Sequence, residues 1–275
     1  METKLNQNEL SDILSALNKE EYPECLDRLT EAIAAPPMET TALYTLATDL
    51  LSSDKPKNLP PCLVDFITRL LLLCIEQGDE NAMNDLGAQY YDGYRGFEQN
   101  FDKAISFYDM AAEHGSRQAQ ENLGYCYYYG RSGTVDYEKA FHYFALGAFD
   151  GHLISLYKIG DMYLNGYYVR KNETEAFHIY MRCLETMTDT AAPEVAGQVY
   201  LRLGKMFLKG LGTEKNVNSA LICYQKAENY LYDMVKGGDV MYKKSLLAAI
   251  EGQNRAREIL MSELSDGQWL DGQRD

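Results

Sequence analysis

The sequence is short of basic residues for its size. Lysine and arginine together number 26, against 41 aspartate and glutamate residues, which gives a formal net charge of −15. A surface with this excess of negative charge repels phosphate backbones, so the composition argues against a nucleic-acid partner. It favours a basic or neutral protein or peptide as the partner.

Long apolar runs and paired cysteines are also missing. The most apolar stretch, residues 66–75, is interrupted by Arg69 and is too short to cross a bilayer. The first 22 residues are polar and acidic, without the basic and apolar regions of an export signal. No C-x-x-C pair occurs among the cysteines, which favours small core residues in a reducing compartment. They are Cys25, Cys62, Cys74, Cys126, Cys183 and Cys223. The sequence therefore predicts a cytoplasmic protein with no membrane segment.

The sequence contains no motif of a known catalytic or metal site. Its four histidines form neither an H-E-x-x-H motif nor a Cys/His quartet with metal-ligand spacing. A G-x-S-x-G elbow, a Walker loop and a dinucleotide fingerprint are all missing. The carboxylates are numerous, but nothing in the pattern selects one pair as acid and base. The prediction is a protein that is not an enzyme and that holds no metal and no cofactor.

An internal repeat dominates the middle of the chain. Four segments align on a Leu-Gly or Ile-Gly step, whose glycines are spaced 37, 36 and 44 residues apart. The step glycines are Gly87, Gly124, Gly160 and Gly204; a second glycine follows six positions later, at Gly93, Gly130, Gly166 and Gly210. An alanine comes next, at Ala104, Ala140, Ala176 and Ala220, and an aromatic residue four positions beyond it, at Tyr108, Phe144, Tyr180 and Tyr224. A period in this range is typical of a solenoid.

The apolar spacing predicts two helices in each repeat. Helix A contains the step glycine, and helix B contains the alanine and the aromatic residue that follows it. A glycine inside a helix costs roughly 1 kcal/mol relative to alanine. We therefore expect the step glycine where helix B approaches closely. We expect the second glycine to end helix A in a left-handed C-cap, and Pro193 to open the fourth helix A.

These columns resemble the Sel-one-like repeat, a relative of the tetratricopeptide repeat. The second copy, AQENLGYCYYYGRSGTVDYEKAFHYFALGAFDG, follows the family phrase closely, and the resemblance covers about residues 67–231. It implies an all-α fold, a right-handed α/α superhelical solenoid of Sel-one-like/tetratricopeptide-like helix pairs. It also implies a non-enzymatic scaffold or adaptor that binds a segment of a partner on the concave surface formed by helices A.

The chain divides into four parts on this interpretation. Residues 1–66 form an N-terminal helical extension, with helical patterning at 5–18, 22–34, 39–53 and 61–77. Residues 67–237 hold the repeats, and residues 238–264 form a capping helix. Residues 265–275 are expected to be a mobile tail that contains the single tryptophan, Trp269.

The family resemblance also implies which residues contact a partner. In related tetratricopeptide proteins the contact positions lie three before, one after and five after the step glycine, on one face of helix A. Here these positions are Asn84, Ala88, Asp92, Glu121, Tyr125, Tyr129, Tyr157, Asp161, Asn165, Leu201, Lys205 and Lys209. We expect Tyr125, Tyr129 and Tyr157 to be the main anchors. The acidic members predict a partner with lysine or arginine beside its apolar contacts.

Two other functions are compatible with the sequence. The first is a cytosolic inhibitor or immunity protein that blocks a basic toxin or enzyme, which the net charge would favour. The second is an enzyme or small-molecule binder with a tyrosine-lined pocket. The interaction scaffold is the leading prediction.

Overall fold

The computed structural model describes residues 39–52, 59–131, 133–187 and 193–265, and the regular secondary structure there is helical. The helices are α1 (Thr40–Leu50), α2 (Pro61–Glu76), α3 (Glu80–Asp92), α4 (Phe101–Glu113), α5 (Arg117–Tyr128), α6 (Tyr137–Phe149), α7 (Leu153–Asn165), α8 (Glu173–Thr186), α9 (Pro193–Lys209), α10 (Val217–Lys236) and α11 (Lys243–Ser265), with a short 3₁₀ helix at Val240–Tyr242. The predicted all-α class is confirmed.

The chain forms two compact units, Met1–Asp136 and Tyr137–Asp275. In the first unit each helix from α1 to α5 packs on the next one along the chain. In the second unit the consecutive helices from α6 to α11 pack in the same way. Helix α9 also contacts α7 and α11, so neighbouring helices A touch each other directly in that unit.

A core cluster of the first unit is built mainly from the apolar stripes of α1 and α2, together with Ala82 and Leu86 of α3. Helix α2 reads PCLVDFITRLLLLCIE, and its leucine and isoleucine side chains recur at the three- and four-residue spacing that buries one face. Arg95 has a left-handed φ of 59°. Its side chain donates hydrogen bonds to the carbonyl oxygens of Leu51 and Ser52 at the end of α1, where a cation is favourable.

The step glycines lie where helix B crosses helix A at short range. A Cβ atom on Gly87 would lie 2.7 Å from the ring of Tyr108, and one on Gly160 would lie 2.7 Å from the ring of Tyr180. The expected close approach of helix B is thus confirmed. The nearest atoms belong to the aromatic residue of helix B.

The helix ends carry caps, and the glycine C-caps and the start at Pro193 are those expected from the sequence. Gly93 and Gly166 end α3 and α7 in the left-handed conformation, with φ of 59° and 76°. Helices α4, α8 and α10 each begin after an asparagine whose side chain accepts a hydrogen bond from a backbone amide of the first turn. Helix α9 begins at Pro193, as predicted.

Helix α11 follows the last repeat and packs against α10. Its inward positions are Ala249, Gln253 and Ala256, all buried. The Gln253 side chain donates to the Glu228 carboxylate at 2.7 Å. The expected helices at 5–18 and 22–34 and the tail with Trp269 lie outside the described residues, and the division into four parts stays a prediction.

Candidate protein-interaction surface

Helix α5 of the second repeat brings three tyrosines together at its C-terminal end. Its buried stripe contains Ala119, Leu123 and Cys126. The helical spacing turns Tyr125 and Tyr129 away from that stripe.

The rings of these tyrosines are ordered by each other. Tyr125 and Tyr129 stack with ring centroids 6.0 Å apart and planes 7° apart. Tyr128 meets Tyr129 edge-on at 4.9 Å. Tyr129 is nevertheless 50% exposed. We call Tyr125, Tyr128 and Tyr129 the tyrosine cluster.

Arg131 joins the tyrosine cluster to the first repeat. Its guanidinium lies 5.9 Å from the centre of the Tyr129 ring and 5.1 Å from that of Phe101. Its Nε atom donates a 3.1 Å hydrogen bond to the hydroxyl of Tyr91. Burial raises the pKa of Tyr91, although the Arg131 charge opposes the shift. The cation therefore holds one edge of the cluster in place.

The first repeat contributes three of the expected contact residues. Asn84 accepts a 3.0 Å hydrogen bond from Asn122, which ties helix A of the first repeat to helix A of the second. Ala88 is half-buried, and Asp92 is exposed. Desolvation raises the pKa of the Asp92 carboxyl. Of the three, Asp92 presents the most side chain to a partner.

In the second unit an ionic network occupies the expected contact positions of the third repeat. Arg202, on α9, forms a bidentate ion pair with Asp161, on α7, and its Nη2 atom lies 2.7 Å from Oδ2. The hydroxyl of Tyr180 donates to Asp161 at 2.6 Å. The Arg202 guanidinium lies 5.2 Å from the centre of the Tyr157 ring, and the Lys158 ammonium lies 5.3 Å from it. We call these five residues the Asp161–Arg202 network.

The electrostatics of the Asp161–Arg202 network favour its charged state. Burial by itself would raise the pKa of Asp161, but Arg202, with help from Lys158 and Tyr180, holds that pKa below its ordinary value. The same ion pair raises the pKa of Arg202 despite its burial. Both groups are therefore ionised at neutral pH, and the pair links the helices A of the third and fourth repeats.

Three of the expected contact residues are buried. Glu121 and Asp161 are each 5% exposed, and Tyr157 is 7% exposed. Side chains with so little exposed surface can make few contacts with a partner, so their burial indicates a structural role. The sequence-based assignment of Tyr157 as an anchor is revised on this ground.

The remaining expected residues lie at the surface of the second unit. Asn165 is exposed and donates to the carbonyl oxygen of Asp161 at 2.7 Å. Leu201 is half-buried, whereas Lys205 and Lys209 are exposed on α9. The two lysines are basic members of the expected contact set, in contrast to the negative charge of the whole chain.

Sequence reasoning missed the residues that hold this arrangement together. Asn122 and Arg202 both lie two positions before the step glycine, and each bonds to helix A of the preceding repeat within its own unit. A polar side chain recurs at that column in all four copies, as Asp85, Asn122, Lys158 and Arg202. That recurrence is the signal that could have identified the column. Arg131 stands outside the repeat columns and had no such signal.

Metal sites and membrane spans are both missing from the described residues. No group of three or more histidine, cysteine, aspartate or glutamate side chains is placed to hold a metal ion within the described ranges. None of the described helices is both long and apolar enough to cross a membrane.

The chain is similar to known repeat proteins. The family model of the Sel1 repeat matches residues 81–116, 117–152, 153–180 and 198–229. The rat protein named "Protein sel-1 homolog 2" is 32% identical over 204 residues, which cover 74% of this chain. The chain spans only 28% of the length of that relative.

Solved structures share the fold. A Sel1 repeat protein from Oxalobacter formigenes superposes with a TM-score of 0.60 at 22% identity, over 88% of this chain and 87% of that one. The protective antigen c5321 of uropathogenic Escherichia coli, described as having an SLR fold, gives a TM-score of 0.57 at 20% identity, over 90% of this chain and 50% of that one. The expected solenoid class is confirmed.

Proteins built from Sel1 repeats generally mediate protein–protein interactions and are generally scaffolds rather than enzymes. The four matched repeats, the helix pairs that close on a step glycine and the shared solenoid fold agree, and the chain belongs to the Sel1-repeat family.

Proposed function

We propose that this chain is a non-enzymatic adaptor that binds a segment of another protein through the tyrosine cluster of its second repeat. The observation that carries the proposal is the half-exposed Tyr129, whose ring is already fixed by stacking on Tyr125. Tyrosine offers a large contact area with few rotatable bonds, and it is enriched among residues that dominate binding energy.

The order of the cluster supports binding in a second way. Tyr129 contacts the rings of Tyr125 and Tyr128 and the guanidinium of Arg131. A side chain held by three neighbours loses little rotamer freedom when a partner arrives, so less of the contact energy is spent on ordering it.

Charge favours a particular kind of partner segment. The chain carries a net charge of −15, and Asp92 is exposed on α3 of the same unit as the tyrosine cluster. A segment with a lysine or arginine next to an apolar side chain would meet both the carboxylate and the rings. Its association would be fast at low salt and would slow as ionic strength rises.

The test is a paired affinity purification from lysate of the source organism, read by mass spectrometry. The baits are the wild-type chain, Tyr129→Ala, and Tyr232→Ala as the matched control. Tyr232 is 54% exposed and lies on α10, outside the cluster. We expect a partner that the wild type and Tyr232→Ala retain and that Tyr129→Ala loses by at least about tenfold, since hot-spot tyrosines contribute 2 kcal/mol or more.

Other results would replace the proposal. A partner retained equally by all three baits would place the binding surface elsewhere. A retained enzyme whose activity the purified chain abolishes would make the chain an inhibitor rather than an adaptor. Retention of nothing, together with saturable thermal shifts by metabolites, would favour a small-molecule binder.

A further inference from the structure

Helix α11 has two different faces. The inward face includes the small residues Ala249, Gly252 and Ala256, which let α10 come close: a Cβ atom on Gly252 would lie 2.4 Å from the Tyr224 ring. A second face, beside the inward one, exposes large apolar side chains, with Leu247 66%, Met261 68% and Leu264 55% exposed. A set of large apolar residues at a regular spacing on one exposed face is typical of an interaction surface.

The spacing of this face is that of a coiled coil. Its residues recur at alternating steps of three and four over 18 positions: Leu247, Ile250, Asn254, Arg257, Met261 and Leu264. In heptad terms they are three successive pairs of a and d positions. We call them the α11 stripe. A polar residue at an a position commonly fixes the register of a coiled coil, and Asn254 occupies an a position.

The α11 stripe is complementary to itself when two copies run antiparallel. Antiparallel coiled coils pair a positions with d positions. That rule places Leu247 against Leu264 of a second copy and Ile250 against Met261. It also places Asn254 against Arg257, so that polar groups face each other in the two central layers. Each pairing occurs twice because the contact is isologous. A parallel pair would instead stack Arg257 on Arg257, which like charges disfavour.

Charge also permits a second copy at this place. The whole chain carries −15, but α11 has four basic and three acidic side chains, a local charge of about +1. Two such helices approach without the repulsion that the rest of the surface would impose. We propose that the chain forms a homodimer through antiparallel packing of the two α11 stripes. This surface is separate from the tyrosine cluster, so the proposal does not depend on the proposed function.

The test is the oligomeric state of the full chain, measured by sedimentation velocity over a range of concentrations. We expect a reversible dimer that strengthens with salt, because the remaining acidic surface repels at low ionic strength. Leu247→Glu should raise the dimer dissociation constant on the order of a hundredfold, since it places two carboxylates in apolar layers. The matched control is Ile222→Glu, at a 54% exposed isoleucine on α10, which should leave the constant unchanged.

A gain of affinity makes the test specific for the orientation. In the antiparallel register Glu251 flanks Glu258 of the second copy, so Glu251→Lys replaces two repulsive contacts with attractive ones. We expect it to tighten the dimer several-fold. Circular dichroism verifies that each variant is folded, which is expected because all three positions are exposed.

A chain that stays monomeric at every concentration would overturn the proposal. So would a dimer that Leu247→Glu leaves intact or that Ile222→Glu disrupts equally. A dimer that Leu247→Glu breaks but Glu251→Lys weakens would contradict the antiparallel register.

Discussion

At the residue scale, the Asp161–Arg202 network shows how a position predicted for binding is used for structure. Asp161 would be costly to bury alone, but Arg202 contacts both of its oxygens and Tyr180 donates to one of them. Because Arg202 comes from the next repeat, the network fixes how α9 lies on α7. The position one after the step glycine therefore serves stacking in the third repeat.

Removal of one partner from this pair should be strongly destabilising. Asp161→Ala leaves the Arg202 guanidinium in a mostly buried site without its counter-charge, so we expect a loss of about 3 to 5 kcal/mol in the free energy of unfolding. The double variant Asp161→Leu/Arg202→Met should cost less, because no unpaired charge is then buried. Urea unfolding measures both. A double variant as unstable as Asp161→Ala would show that packing, and not charge, dominates at this site.

The Asp161 carboxylate should also make the stability of the fold depend on pH. The folded-state pKa of Asp161 lies below its ordinary value of 3.8, so its contribution to stability is present above pH of about 3.8 and is lost as the pH falls through the folded-state pKa. We expect the stability advantage of the wild type over Asp161→Asn to be constant near neutral pH and to shrink in acid. If the stability advantage of the wild type over Asp161→Asn grew in acid, the pKa of Asp161 would not be lowered in the folded state.

At the scale of the helix pair, an aromatic ring of helix B packs against the backbone of the step glycine in helix A. Gly160 and Gly204 lie against Tyr180 and Tyr224, with the space for a Cβ atom already filled by the ring. The glycine cost in helix propensity is thus offset by the contact that its missing side chain allows.

This packing reverses the usual effect of a glycine substitution. Gly-to-Ala in a helix interior normally stabilises by roughly 1 kcal/mol. Gly160→Ala should instead destabilise by about 1 to 3 kcal/mol, because the new methyl group would lie 2.7 Å from the Tyr180 ring. Thermal and urea unfolding decide the sign of the change. A stabilised Gly160→Ala variant would mean that the helix pair is packed more loosely than the structure shows.

The repeat columns explain why the helix pairs could be predicted and the contact side chains could not. Glycine, alanine and aromatic residues recur because each has one local task, such as a cap at Gly93 or a close approach at Gly87. Tyr157 packs beside the guanidinium of Arg202, which lies 45 positions further along the chain. The contact positions counted from the step glycine specify where a residue lies on helix A. Whether its side chain is buried depends on the residues that the next repeat packs against it. Tyr129 stays exposed in the structure and Tyr157 does not.

At the scale of the whole molecule, the chain presents two surfaces of different character. The tyrosine cluster lies in the unit Met1–Asp136, and the α11 stripe lies in the unit Tyr137–Asp275. The first has stacked rings fixed by a cation, and the second has a regular row of four apolar side chains with Asn254 and Arg257 at its centre. A dimer through α11 would present two tyrosine clusters to a partner with two matching segments, which raises apparent affinity through effective concentration.

If the tyrosine cluster contacts a partner protein, a photo-reactive side chain placed in the cluster will crosslink to that partner. A benzophenone amino acid is placed at Tyr129 in one chain and at Tyr232 in another, and each chain is irradiated in lysate of the source organism. We expect a discrete crosslinked adduct at Tyr129 that is missing at Tyr232 and that fades as salt is raised. The same adducts at both positions, or an adduct at Tyr232 alone, would contradict the proposed contact.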